Sequence, residues 1–84
     1  MNSLDISFLT TKQRKKLARR YNGRLIRPAA RLAGVHHSLV SRVMHRRATS
    51  RRAEQALNAI LAQFSDIREV WVSIGGRLPE EKAA

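Results

Sequence analysis

Residues 26–45, IRPAARLAGVHHSLVSRVMH, decide how this chain folds. Counted from Ile26, a small residue falls at the fifth place (Ala30) and glycine at the ninth (Gly34). Apolar residues fall at the fourth, eighth, tenth, fifteenth and eighteenth: Ala29, Ala33, Val35, Val40 and Val43. The pattern predicts two short helices joined by a tight turn. Ala30 lets the second helix approach the first. Gly34 takes the positive φ of the turn without a Cβ clash. The valines fill the wedge between two steeply crossed helices.

This spacing resembles the helix-turn-helix of bacterial and phage repressors. The string AGVHHSLVSRV is similar to the AGVSxxTVSRV of LacI-type DNA-binding domains, and a basic helix ahead of it makes the layout look like the λ-repressor/Cro class. The resemblance covers residues 26–64. It implies an all-α fold, a compact bundle of four or five helices, with the helix of residues 37–45 entering the major groove of double-stranded DNA. It also implies a base-contacting role for Arg42, which matches the arginine of the SRV triplet, and a specificity role for His37 and Ser38, which match the two variable positions. Three departures stand out. His36 occupies the place of the usual Ser or Thr cap, so that helix is expected to start with help from Ser38 or a bound phosphate. Leu39 replaces a threonine. Phe64-Ser65-Asp66-Ile67 stands where LacI-like chains carry a Tyr-x-Pro-Asn hinge, and with no sugar-sensing domain no inducer site is expected.

Outward from this stretch, residues 1–9 read as a loosely docked N-terminal arm, with Phe8 and Leu9 available to tuck onto the core. Residues 10–64 read as the DNA-binding domain, and 65–84 as a C-terminal packing or dimerisation element and tail. A first helix is expected from a Thr10 or Thr11 cap to about Tyr21, ended by Asn22-Gly23 with Gly23 left-handed. Its inward stripe is thin (Leu17, Ala18, Tyr21), and Lys12, Arg14, Lys15, Lys16, Arg19 and Arg20 make the rest cationic. The second helix is expected to begin at Arg27 or Pro28, because proline suits the first helical position. A fourth follows a Ser50 cap, with Ala53, Ala56, Leu57, Ile60, Leu61 and Phe64 at i, i+3, i+4, i+7, i+8 and i+11. Residues 65–74, SDIREVWVSI, fit either of two patterns. Ile67, Val70, Trp71 and Ile74 have helical spacing, with Asp66 as cap and Glu69 three residues on; Val70, Val72 and Ile74 alternate as in a strand. Helix is the favoured reading. Gly75-Gly76 ends either, and the tail RLPEEKAA is expected to fray.

Eighty-four residues make one domain at most and bury a small core. Cysteine is absent, which excludes disulfides and thiolate zinc sites and fits a reducing cytoplasm. No apolar run approaches the roughly 18 residues of a membrane span, and MNSLDISFLT lacks a signal-peptide pattern. The expected location is cytoplasmic, on the nucleoid. Net charge is +11, unevenly placed. After Asp5 the next acid is Glu54, and between them lie fourteen of the seventeen Lys and Arg residues. Such a field fits a polyanion, most often nucleic acid.

The expected base contacts are therefore His37, Ser38, Ser41, Arg42 and His45. Arg42 suits a guanine, whose O6 and N7 a guanidinium bonds bidentately; Ser41 also suits a phosphate. The expected phosphate contacts are Lys15, Lys16, Arg19, Arg24, Arg27, Arg31, Arg46, Arg47, Arg51 and Arg52. No metal or cofactor is expected, because the three histidines diverge and no carboxylate lies near them. No nucleophile–base pair or phosphate loop suggests an enzyme. Trp71 completes either the monomer core or a homodimer contact through residues 65–78, since one recognition helix covers few base pairs. Three functions compete: a sequence-specific regulator, most simply a repressor; a sequence-independent nucleoid or architectural protein; and an RNA-binding module, disfavoured by few aromatics for base stacking.

Overall fold

The computed structural model describes residues 4–78. After a short 3-10 turn, Ile6–Phe8, come five helices: α1 (Thr11–Tyr21), α2 (Gly23–Ala33), α3 (His37–Met44), α4 (Arg51–Leu61) and α5 (Ile67–Ser73). The fold is all-α, and the described residues include no strand. The ambiguous segment 65–74 forms the short helix α5 and its caps because Ile67, Val70, Trp71 and Ile74 all reach the core on one stripe. The strand pattern needed Val72 on the same side, and Val72 is exposed.

The helix starts follow local chemistry. Thr10 accepts the Gln13 amide at 3.2 Å, and the Gln13 side chain accepts the Thr10 amide at 2.9 Å, a reciprocal capping box. Ser50 caps α4 through the Ala53 amide at 3.2 Å. Gly34 ends α2 in the left-handed region, φ 69°, and the Val35 amide bonds back to Ala30.

Three boundary expectations need correction. The left-handed residue between α1 and α2 is Asn22, φ 49°, rather than Gly23. Asn22 donates its amide to Ala18 and accepts the Leu25 and Ile26 amides, so one residue closes α1 and opens α2. In consequence α2 begins at Gly23, a turn earlier than expected, and Pro28 lies inside it. Its missing N–H there removes a bond to the Arg24 carbonyl. Asp66 does not cap α5 with its side chain. Its carboxylate instead accepts the Tyr21 hydroxyl at 2.9 Å and the Arg20 guanidinium at 3.0 Å, joining α5 to the end of α1.

α2 is the central helix, packed chiefly on α4 and then on α3. Small residues at Ala29, Ala30, Ala33, Ala53 and Ala56 line the buried faces of α2 and α4 and allow close approach. Val40 and Val43 fill the space under α3. Tyr21 stacks on Phe64 with ring centroids 4.1 Å apart. Trp71 belongs to this core and donates Nε1–H to the Arg77 carbonyl at 3.0 Å. Most of the apolar surface expected to pair two copies through residues 65–78 is thus buried within one chain.

The N-terminal segment also differs from a loose arm. Ile6 and Leu9 are buried, the Ile6 amide donates to Asn58 Oδ1 at 2.9 Å, and Asn58 donates to Asp5 at 3.1 Å. Phe8, expected beside Leu9 on the core, is 72% exposed. Residues 1–3 of the expected arm and 79–84 of the expected tail lie outside the described residues.

Among the described residues one cation is buried. Arg14, 3% exposed, donates to the Ile6 carbonyl at 3.1 Å, the Val43 carbonyl at 2.9 Å and Glu54 Oε2 at 3.1 Å. It links the N-terminal turn, the last turn of α3 and the first turn of α4. Burial and then the charge of Arg46 hold its pKa below the usual arginine value, against the bond to Glu54 and the attraction of Glu54 and Asp5. For Asp5, burial disfavours ionisation, but bonds from Ser7 and Asn58 and the charge of Arg14 outweigh it and leave the carboxyl below its ordinary range.

Candidate nucleic-acid interface

α3 and its C-cap carry two outward rows. His37, exposed, and Ser41 and His45, half-buried, lie at i, i+4 and i+8 along one, and Ser38 and Arg42, both exposed, at i and i+4 along the next. His36 opens the helix: its Nδ1 accepts the Ser38 amide at 3.1 Å and lies 2.8 Å from Ser38 Oγ. Histidine itself serves as the cap, and both the amide and the hydroxyl of Ser38, the residue expected to help, lie against its Nδ1. The Ser38 contacts hold the His36 ring at the helix start. The His37 ring sits against it at 4.2 Å.

Beside the first row runs a trough built from three adjoining hollows. The first is walled by Lys15, Ala18, Arg19, Asn22, His45 and Arg47. The next shares Asn22 and adds Arg24, Ile26, Arg27, His37 and Ser41. The third shares Arg27 and His37 and reaches Arg31, Gly34 and His36. Among the described residues, six Lys and Arg and all three histidines line its length, and no carboxylate does. The short α1–α2 connection at Asn22 makes this possible, because it brings the end of α1 and the start of α2 alongside α3. Arg24 is held over the Tyr21 and Phe64 rings, its guanidinium carbon 5.8 and 6.0 Å from their centroids.

Two of the described acids are paired away from the trough: Glu54 with Arg14 and Asp66 with Arg20. The expected phosphate contacts Lys15, Arg19, Arg24, Arg27, Arg31 and Arg47 come together along the trough. Lys16 is exposed on α1 outside its walls, and Arg51 and Arg52 are exposed at the start of α4. Of the expected base contacts, His37, Ser41 and His45 face the trough. Ser38 and Arg42 stand on the outer row, exposed, and Arg42 makes no ion pair with any described acid.

Arg46 is not among the residues that wall the trough. Its Nη2 donates to the Leu9 carbonyl at 2.7 Å and approaches the Ser7 carbonyl at 3.4 Å, so the side chain turns away from the trough. Arg14 is the residue whose structural role the sequence reading passed over. It lies on the stripe of Leu17, Ala18 and Tyr21, at i, i+3, i+4 and i+7, which was the available signal that it points inward.

A separate hollow between the N-terminal turn and α5 is lined by Leu4, Phe8, Leu9, Trp71 and Gly75, with Arg77 its one Lys or Arg. It is largely apolar, carries the Asp5 carboxylate, and does not suit a polyanion. Among the described residues no cluster of His, Asp and Glu is placed to hold a metal ion, and no helix is long and apolar enough to cross a membrane. Comparisons with protein-family models, with curated proteins and with solved structures gave no match.

Proposed function

We propose that the chain is a double-stranded DNA-binding regulator of transcription, most simply a repressor, that inserts α3 into the major groove. The observation that carries this reading is the trough: among the described residues, six Lys and Arg and no acid line it, beside α3, whose exposed outer row holds an Arg42 paired with no described acid. In this arrangement one strand's phosphates follow the trough while Ser38 and Arg42 meet base edges. His37, Ser41 and His45, read from sequence as base contacts, stand where the two functions meet. Phosphate contacts set affinity and its salt dependence, and base contacts set sequence choice.

The test has two parts. At about −0.9 per phosphate contact, five or more contacts give a log–log salt slope of about −4 or steeper; a slope near zero defeats the reading. Selection from random duplexes then reports the site. Enrichment of a motif containing a guanine that depends on Arg42 supports base reading. Two copies of the motif in inverted order support a homodimer on DNA. With Trp71 buried in the monomer, such pairing draws on surface other than the core side of α5.

One observation favours the alternative of sequence-independent coating. The outer row of α3 offers a single long reader, Arg42, because the other exposed positions are short or face the trough. A ratio of selected to random duplex affinity below about tenfold favours coating, against roughly 10³ or more for a specific reader.

A further inference from the structure

Arg46 occupies an unusual position. It follows α3 with φ 55°, the left-handed conformation that glycine usually supplies at a helix end. Its amide bonds to Val43, and the Arg47 amide bonds to Arg42 at 2.8 Å. A residue with a Cβ is strained there, and something must hold it in place. The guanidinium supplies the hold through the Leu9 and Ser7 carbonyls. Leu9 is itself anchored in the core, and the same segment gives its Ile6 carbonyl to Arg14, which also bonds Val43. Two arginines thus tie one short segment to the last turn of α3. The side chain lines a hollow with Ser7, Arg14, Thr49 and Glu54, whereas its neighbour Arg47 lines the trough.

We infer that Arg46 is a positioning residue and not a phosphate contact: it fastens the N-terminal segment to the end of α3, and this keeps α3 and Arg47 in register with the nucleic acid. The inference rests on the DNA-binding reading above for its functional half. The fastening itself stands on the protein alone. The N-terminal segment thereby becomes part of the reading device although it lines none of the trough.

Arg46→Asn tests this, because asparagine tolerates left-handed backbone but is too short to reach Leu9. Arg47→Asn is the comparison, a loss expected at the trough wall. Affinity for a selected and a random duplex is measured across salt, and amide hydrogen exchange is measured without DNA. For Arg46→Asn, the salt slope holds at the wild-type value. The selected-to-random ratio falls about tenfold, the discrimination that one good base contact carries. Amides of residues 44–48 exchange about tenfold faster while those of α4 do not change. For Arg47→Asn, the slope becomes shallower by about 0.9 and the ratio holds. If Arg46→Asn instead lowers the slope by that amount with the ratio intact, Arg46 is a phosphate contact and the inference is wrong. Unchanged exchange at residues 44–48, or faster exchange with an unchanged ratio, also overturns it. A wild-type chain that binds no duplex defeats the function proposed above; the exchange measurement needs no DNA and decides the fastening by itself.

Discussion

Arg14 and Tyr21 lie one face apart from the trough cations of α1, and each makes a buried or half-buried bond that a surface residue would not. Removing the Arg14 guanidinium leaves Glu54 without its partner and takes one hydrogen bond each from the Val43 and Ile6 carbonyls, which keep the Arg46 and Leu9 amides. Breaking such a pair costs about 3 kcal/mol, the lower end of the range for buried pairs because Glu54 is partly exposed. Urea denaturation of Arg14→Leu should show this loss, and Arg14→Lys should not restore it, since one ammonium does not span three diverging acceptors. Tyr21 offers a second test, cleaner because it is the only tyrosine. Burial, then the bond to Asp66 and its charge, push the hydroxyl up to about 12. The protonated form is the one the fold favours, so this contribution is complete below the unfolded value near 10 and is lost as pH rises toward 12. Absorbance should record tyrosinate forming about two units late, with stability falling over the same window, and Tyr21→Phe should lack that fall. Both residues were partly legible in the sequence. The helical stripe places Tyr21 inward, and it places Arg14 there too, but a run of six cations invites one explanation for all of them. Arg46 was not legible: nothing local tells that its acceptors are carbonyls 37 and 39 residues away.

Element by element, what could be read was what local chemistry controls. The Thr10 box, the Ser50 cap, the left-handed Gly34 and the stripe of α4 each lie within a few residues of the structure they specify. The misread boundary at Asn22 is of another kind. Asparagine and glycine both tolerate positive φ, and the choice depends on Leu25 reaching the core, which starts α2 early. The docked N-terminal turn was hidden for a similar reason, since its bonds run to Asn58 and Arg46 far along the chain. α3 gives a direct test at this scale. Its cap is an imidazole nitrogen, a weaker substitute for the usual hydroxyl. His36→Ala should cost about 1 kcal/mol, and His36→Ser should recover all of it. Thermal melts of the three proteins decide the matter: if His36→Ala melts with the parent, the bond to the Ser38 amide holds nothing.

For the whole molecule, the question is whether net charge or its arrangement determines binding. A chain at +11 attracts polyanions through its general field, and the trough adds little to that argument unless phosphates follow it. Two double variants separate these terms while removing the same two charges. Lys15→Gln with Arg19→Gln empties one wall of the trough. Arg20→Gln with Arg77→Gln removes cations outside it, one of them already paired with Asp66. If counterions are released where the trough meets phosphate, the first pair makes the salt slope shallower by about 1.8, or 0.9 for each contact, and the second leaves it near the parent value. Equal changes in both would mean that the field acts as a whole and that the trough is no path for a strand. The measurement also bears on α3. A strand held against His37, Ser41 and His45 brings the outer row, Ser38 and Arg42, toward the groove beside it. Arg42→Ala should then keep the slope within one contact of the parent and cost about 1–3 kcal/mol on the selected duplex alone. A uniform loss on every duplex would move Arg42 from the bases to the backbone.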